Sequence, residues 1–229
     1  SIKWVSNESY LINSNYDVGG RISLADFNQD GIPELYIKNI IFNALTGVKL
    51  VDGGVNGIGS EFNPNFTPEA MSVAAQLDED STDLELAAGF SIYKVKIVNK
   101  NSTIGNEMIP NNITVDSLLR DGNTSIGDVN SDGILDVVVS SSGISNKGIL
   151  YSYGFKNSKL ELIAKAYPPS NYLYIGSPVI SSSNFIDKPI ILISRYLKIY
   201  AYEFNGTSIL NQLWFHPSTD SSGYLGLTI

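Results

Sequence analysis

An acidic segment recurs along the chain at an almost constant spacing, and this repeat limits the possible folds more than any other feature. The last acids of three copies are Glu34, Glu85 and Asp136, which are spaced 51 residues apart. A weaker fourth copy places Ile190 at the corresponding position, 54 residues after Asp136. The copies are SLADFNQDGIPELYI (23–37), SVAAQLDEDSTDLELAAG (72–89), TSIGDVNSDGILDVVVS (124–140) and PVISSSNFIDKPIILIS (178–194). A fixed period near 50 residues indicates stacked structural units.

Each unit contains four short apolar runs that predict strands. In the third unit the runs cover residues 124–129, 135–140, 148–155 and 159–167. They are rich in β-branched and aromatic residues, and clusters of Gly, Asn, Ser and Asp separate them, as turns separate short strands. Amphipathic helix patterns are scarce, and only 113–122 predicts a short helix. Four-stranded units with this period predict an all-β fold, namely a β-propeller segment made of four-stranded blades.

The repeat divides the chain into four complete units with a fragment at either end. Residues 1–18 would be the end of a preceding blade, and residues 219–229 would be the start of another. The complete units are 19–70, 71–122, 123–172 and 173–218. Four blades and two fragments are few for a closed ring, so we expect the chain to be part of a longer propeller.

Composition excludes several kinds of function. The net charge of −8 leaves no dominant basic surface, so we expect no nucleic-acid partner. The absence of Cys excludes thiolate metal sites and Cys nucleophiles, and the single histidine, His216, excludes a zinc site with several histidines. No run approaches the ~18 apolar residues of a membrane span, so we expect no direct membrane insertion.

The acidic segments of the first and third units have the side-chain spacing of a calcium-binding loop. Oxygen-bearing side chains occupy positions 1, 3, 5 and 9 of DFNQDGIPE and DVNSDGILD, with Gly at position 6. Ca²⁺ takes about six to eight oxygen ligands, and Gly permits the sharp turn that brings alternate side chains together. Position 7 would add a backbone carbonyl while its apolar side chain points into the core. The predicted ligands of these two sites are Asp26, Asn28, Asp30, Ile32 and Glu34, and Asp128, Asn130, Asp132, Ile134 and Asp136.

The other two copies depart from this pattern. The second loop has one extra residue and no Gly at the turn, so we treat it as a third candidate site. Its candidate ligands are Gln76, Asp78, Asp80, Asp83 and Glu85. The fourth copy has Ser182, Asn184 and Ile186 at the ligand positions and Asp187 out of register, so we expect no calcium there. A lone loop of this composition also fits a solvated polar turn, but two copies in register favour metal binding.

The pattern of these loops occurs in two known classes of calcium-binding protein, EF-hands and certain propeller repeats. An EF-hand requires Glu at position 12, where this chain has Ile37 or Val139, and it requires flanking helices instead of strands. The pattern D-x-[DN]-x-D-G-x-x-[DE], together with the period, resembles FG-GAP or VCBS-type repeats, as in the propellers of integrin α-subunits and many bacterial surface proteins. The phrase FNALTG after ELYIKNI also resembles large secreted adhesin-like or gliding-associated proteins of Bacteroidetes. The FG-GAP resemblance implies that the calcium loop joins the first two strands of a blade and that ligands bind on the opposite face.

These features predict a non-catalytic, calcium-binding propeller region of an extracellular or cell-surface protein. Its role would be adhesion, ligand binding or scaffolding. The partner would be a protein or glycan ligand on a cell surface or matrix, or other domains of the same large protein. One alternative is a glycan-binding lectin propeller that uses Tyr196, Tyr200, Tyr202 and Phe204 for stacking, although we expect these side chains to pack between blades. The other alternative is a propeller-fold polysaccharide lyase or hydrolase, but the sequence contains no evident catalytic constellation, so we do not predict an enzyme.

Overall fold

The structure is a computed structural model that describes residues 2–5, 21–54, 71–78, 80, 82–113, 121–141, 148–169, 176–181, 188–195 and 197–218. Sixteen strands lie within these ranges. In chain order they are β1 (Ile22–Ala25), β2 (Glu34–Ile37), β3 (Ile40–Asn43), β4 (Lys49–Asp52), β5 (Ser72–Ala75), β6 (Glu85–Ala88), β7 (Ser91–Lys96), β8 (Glu107–Asn112), β9 (Asn123–Gly127), β10 (Asp136–Ser141), β11 (Ile149–Lys156), β12 (Lys159–Ala166), β13 (Val179–Ser181), β14 (Ile190–Ser194), β15 (Lys198–Phe204) and β16 (Leu210–Pro217).

The strands form four four-stranded sheets, one for each sequence repeat. Every sheet is antiparallel, and strands that are consecutive in the chain are neighbours in the sheet: β1 to β4, β5 to β8, β9 to β12 and β13 to β16. No helix lies within the described ranges, and the helix expected at 113–122 falls mainly on residues outside them. The prediction of an all-β fold built from four-stranded propeller blades is therefore confirmed. We number these sheets blades 1 to 4 in chain order.

Each internal blade buries both faces of its second strand. In β10, Val137 and Val139 pack in a cluster shared with blade 2, while Val138 packs in a cluster shared with blade 4. Because successive strand residues point to opposite faces of a sheet, one strand contributes to both interfaces. This two-sided burial explains why the β10 sequence is a continuous apolar run instead of an alternating one.

Three apolar clusters fill the three interfaces between consecutive blades. Tyr36 and Ile41 of blade 1 pack with Leu86 and Tyr93 of blade 2, and equivalent clusters join blades 2 and 3 and blades 3 and 4. The first strands β5, β9 and β13 approach one another, as do the fourth strands of blades 1 and 2 and of blades 3 and 4. Stacking in which first strands meet first strands and fourth strands meet fourth strands is the arrangement of consecutive propeller blades.

The two end blades have one face that no described blade covers. Leu192 of β14 points away from blade 3 and is half-buried, whereas the equivalent Val138 of β10 is fully buried. On blade 1, Ile22 and Leu24 are 63% and 60% exposed.

The described residues contain no helix with the length and apolar character needed to cross a bilayer.

Candidate metal centre

The acidic segments lie in the connections between the first and second strands of blades 1, 2 and 3. We call residues 26–34, 76–85 and 128–136 the first, second and third acidic loops. The Leu84 amide in the second loop donates to the Phe27 carbonyl in the first loop over 3.1 Å, so these two loops are in direct contact. Residues of the second and third loops line a common cleft. All three loops therefore lie on one side of the molecule.

The first loop is organised by its own side chains. The Asp26 carboxylate accepts hydrogen bonds from the Asp30 amide at 3.0 Å and the Gly31 amide at 2.7 Å. The Asp30 carboxylate accepts from the Ile32 amide at 3.0 Å. Gly31 has a φ of +86°, in the left-handed region that favours glycine. These bonds draw the loop into a tight turn around its acidic side chains.

The third loop repeats this geometry with different residues. Asp128 accepts from the amides of Asp132 at 3.0 Å and Gly133 at 2.9 Å, and Asp132 accepts from the Ile134 amide at 2.9 Å. Gly133 has a φ of +88°. The Asn130 side chain also accepts from the Asp132 amide at 2.9 Å. The agreement shows that the shared sequence pattern specifies a shared loop structure.

The acid at the end of each loop is buried and anchored by the amide at position 2. The Phe27, Leu77 and Val129 amides donate to Glu34, Glu85 and Asp136 over 3.0, 2.8 and 2.9 Å, respectively. Phe27, Leu77 and Val129 are themselves buried apolar residues that fix the loop to the blade core. The sequence analysis missed these anchors, although an apolar residue between two polar positions in every loop is a signal that could have found them.

The second loop brings three carboxylates to one point. Oxygen atoms of Asp78, Asp80 and Glu85 lie within 4.8 Å of one another, and no other such acidic group occurs in the part of the chain that is described. Glu85 is 1% exposed. Its Oε2 accepts from the Leu77 amide, whereas its buried Oε1 has no hydrogen-bond partner. A buried carboxylate oxygen without a donor is costly unless a cation or another donor compensates it.

The remaining candidate ligands of the second loop have other contacts. The Gln76 amide donates to Asp78 Oδ1 over 3.3 Å and to the Asp80 carbonyl. Asp83 accepts a hydrogen bond from the Thr82 hydroxyl at 2.8 Å and is outside the three-carboxylate group. Within the described residues, the carboxylates of the first and third loops do not form a group of this closeness.

Two lysines contact acidic loops. Lys94 of β7 lies 2.6 Å from Asp80 and 3.6 Å from Asp78 in the second loop. Lys100, between β7 and β8 of blade 2, forms an ion pair with Asp30 in the first loop of blade 1. The sequence patterns of the loops contain no signal for either contact, because both lysines come from segments that follow β6.

The pKa values of the carboxyl groups in these loops shift in opposite directions for the buried acids and for the acids that accept a hydrogen bond from a lysine. Burial raises the pKa of Glu34 and Glu85, and it raises the pKa of Asp136 to about 7. The hydrogen bond from Lys94 lowers the pKa of Asp80 to about 2, and that from Lys100 lowers the pKa of Asp30. Burial therefore opposes ionisation of the inner acids, whereas two of the outer acids have lysine partners.

Some detailed expectations are wrong or fall outside the described residues. Ile32 and Ile134 were expected to point into the core, but they are 44% and 40% exposed, because the apolar anchor of each loop is at position 2. The fourth acidic segment, from Ser182 to Asp187, lies outside the described residues, as does Tyr196. Tyr200 and Tyr202 are buried in the cluster between blades 3 and 4, and Phe204 packs against that cluster, as expected. These two tyrosines are therefore not a free stacking surface for sugars.

Three carboxylates that converge in the second loop offer both charge and ligand atoms to a divalent metal. No family model, curated protein or solved structure matches this chain. The assignment of function therefore rests on the residues and geometry of the loops.

Proposed function

We propose that the chain is a non-catalytic propeller region that binds Ca²⁺ in its acidic loops and belongs to a secreted or cell-surface protein. One observation carries the metal assignment: the buried Glu85 Oε1 has no hydrogen-bond partner and belongs to a group of three carboxylates. A bound cation would satisfy this oxygen and offset the repulsion among the three acids. Asp78, Asp80 and Glu85 would hold the ion.

The donor set favours calcium over the common transition metals. All the candidate ligands are carboxylate, amide or backbone oxygens, and the chain has no Cys and one His. Carboxylate and carbonyl oxygens suit hard cations, and Ca²⁺ tolerates the irregular geometry that a turn provides. The first and third loops are proposed as further sites because they share one structure and each contains three acids.

Calcium would act structurally in this proposal. Each loop connects the first two strands of a blade, and its last acid begins the second strand. A cation that links the start of the loop to that acid would pin both strands together. Stiff blades in calcium-rich surroundings suit a protein that presents a surface for adhesion, ligand binding or scaffolding, with a protein or glycan as ligand.

Calcium-dependent thermal unfolding tests this proposal. We expect Glu85→Gln, Asp30→Ala and Asp132→Ala each to lower the melting temperature in millimolar calcium but to change it little in chelator. A site filled to a hundredfold excess over its Kd stabilises the folded state by about 2.7 kcal/mol, and each variant should forfeit most of one such contribution. Glu107→Ala, an exposed acid on β8 outside the loops, is the matched control.

Two results would contradict the proposal. Equal destabilisation of the loop variants in calcium and in chelator would mean that the carboxylates serve the turns alone. Equilibrium dialysis that finds no bound calcium in the wild-type chain would exclude the metal directly. The adhesive role has a separate test, in which arrays of glycans and matrix proteins are probed with the chain in calcium and in chelator. At least one arrayed ligand should bind the chain in calcium and not in chelator.

A further inference from the structure

The residue opposite the last acid of each loop differs from blade to blade. Strand pairing places Asn43 opposite Glu34 in blade 1 and Lys94 opposite Glu85 in blade 2. In blade 3, Val137 pairs with Tyr153, which places Gly154 beside Asp136. This cross-strand neighbour is the side chain best placed to reach over the acid into the loop.

In blade 2 this neighbour supplies a positive charge to the loop. The Lys94 ammonium lies 2.6 Å from Asp80 Oδ2 and 3.6 Å from Asp78 Oδ2. It contacts two members of the three-carboxylate group, and the third member, Glu85, keeps its unpartnered buried oxygen. Lys94 thus compensates the outer charge of the loop and leaves the inner acid unsatisfied.

In blade 3 the same position leaves the loop open. A Cβ added to Gly154 would lie 2.8 Å from Asp136 Oδ1, so glycine keeps the space beside this acid clear. Gly154, Asp132 and Asp136 line a cleft of about 260 Å³. No ion pair of Asp128, Asp132 or Asp136 with a lysine or arginine is found among the described residues.

We infer that Lys94 is an internal counter-ion that competes with Ca²⁺ for the second loop and sets the calcium concentration at which this loop fills. This inference rests on the proposed calcium binding of that loop. A calcium ion that uses Asp78 and Asp80 competes with the ammonium for both carboxylates. The loop therefore exchanges one cation for another, and its affinity is determined by a residue outside the acidic motif.

Calcium titration of Lys94→Met tests this inference. The titration uses isothermal calorimetry on the full chain with Asp30→Ala and Asp132→Ala, so that the second loop is the intact one of the three acidic loops. We expect Lys94→Met to bind calcium roughly fivefold more tightly than the same chain with Lys94, as loss of one exposed ion pair with the ligand oxygens would produce. Lys96→Met is the matched control, because it removes the same charge from an exposed position on the same strand, and its affinity should change less than about twofold.

The outcomes separate this inference from the proposed function. If calcium binds the second loop with equal affinity in the presence and absence of Lys94, or if Lys96→Met has the same effect as Lys94→Met, the counter-ion role is wrong while calcium binding stands. If neither the Lys94 chain nor Lys94→Met binds calcium, both the counter-ion role and calcium binding by the second loop are wrong. Glu85→Gln should abolish the titration in each background. If the chain with Asp30→Ala and Asp132→Ala does not fold, a second measurement makes the same comparison. Lys94→Met and Lys96→Met are then introduced separately into the otherwise unchanged chain, and the increase in melting temperature on adding calcium is compared.

Discussion

Glu34, Glu85 and Asp136 bury a carboxyl group at the point where each acidic loop enters its second strand. Each accepts a hydrogen bond from the backbone amide at position 2 of its loop, and Glu85 accepts a second from the Asp78 amide. These bonds offset only part of the cost of removing a charge from water. Their pKa values are raised, most clearly that of Asp136. Protonation of these three residues is therefore coupled to the stability of the folded loops.

Asp136 predicts a pH dependence of the metal-free protein. Its folded-state pKa of about 7 lies above the unfolded value of about 3.9. The stability that this shift contributes is present below pH ~4 and is lost as pH rises through ~7, to a limit of roughly 4 kcal/mol. Urea unfolding of metal-free wild type between pH 5 and pH 8 should show roughly two-thirds of this loss, because the unfolded Asp136 is already ionised at pH 5. Asp136→Asn should lack it. If the free energy of unfolding depended on pH in the same way in both proteins, the prediction would be contradicted.

Single strands contribute to two interfaces at once, and β14 shows how sharply the two faces differ. Ile191 is fully buried against blade 3, whereas its neighbour Leu192 points to the other face and is half-buried. The equivalent pair in β10, Val137 and Val138, is fully buried on both faces because blades flank both sides. The burial of a strand residue is therefore decided by the blade that its face meets.

The neighbouring residues of β14 form a matched pair for mutation. Ile191→Ala should lower the free energy of unfolding by about 2–5 kcal/mol, because it leaves a cavity in the cluster between blades 3 and 4. Leu192→Ala should cost about half of that or less, because part of its side chain is already in water. Chemical denaturation of both variants measures the difference. A larger loss for Leu192→Ala would mean that the assignment of the two faces is reversed.

The blades are joined into one molecule by polar contacts as well as by apolar clusters. The Tyr153 hydroxyl of blade 3 donates to the Gly89 carbonyl in the turn between β6 and β7 of blade 2 over 2.6 Å. The equivalent tyrosine of blade 2, Tyr93, reaches back to blade 1, where its hydroxyl accepts from the Asn39 side chain at 3.2 Å. Both contacts lie in turns between second and third strands, at the blade edge opposite the acidic loops.

Removing the Tyr153 hydroxyl tests this coupling between blades. Tyr153→Phe keeps the ring in the cluster between blades 2 and 3 but leaves the Gly89 carbonyl without this donor. We expect a loss of about 1–2 kcal/mol in the free energy of unfolding. Tyr167→Phe is the control, because Tyr167 is 48% exposed, and it should change stability by less than about 0.5 kcal/mol. Hydrogen exchange should also show weaker protection of the turn at Gly89 in Tyr153→Phe alone.

Much of this architecture follows from the sequence by itself. The period near 50 residues, the four strands of each blade and the position of the acidic loops between first and second strands were all predicted. The internal bonds of the first and third loops are also local, since every donor lies within seven residues of its acceptor. Short-range patterns suffice for such features because neighbouring residues in the chain create them.

The tertiary structure alone decided which side chains share space across strands and blades. Lys94 meets the second loop, and Gly154 leaves the third loop open, because strand pairing brings each beside an acid from an earlier strand. The exposure of Ile32 and Ile134 was predicted wrongly for a related reason. An apolar residue in a tight turn points inward only if the blade core lies on that side, and here the core side is already filled by position 2. Such outcomes depend on register and packing between distant segments, which the spacing of residues within one motif does not contain.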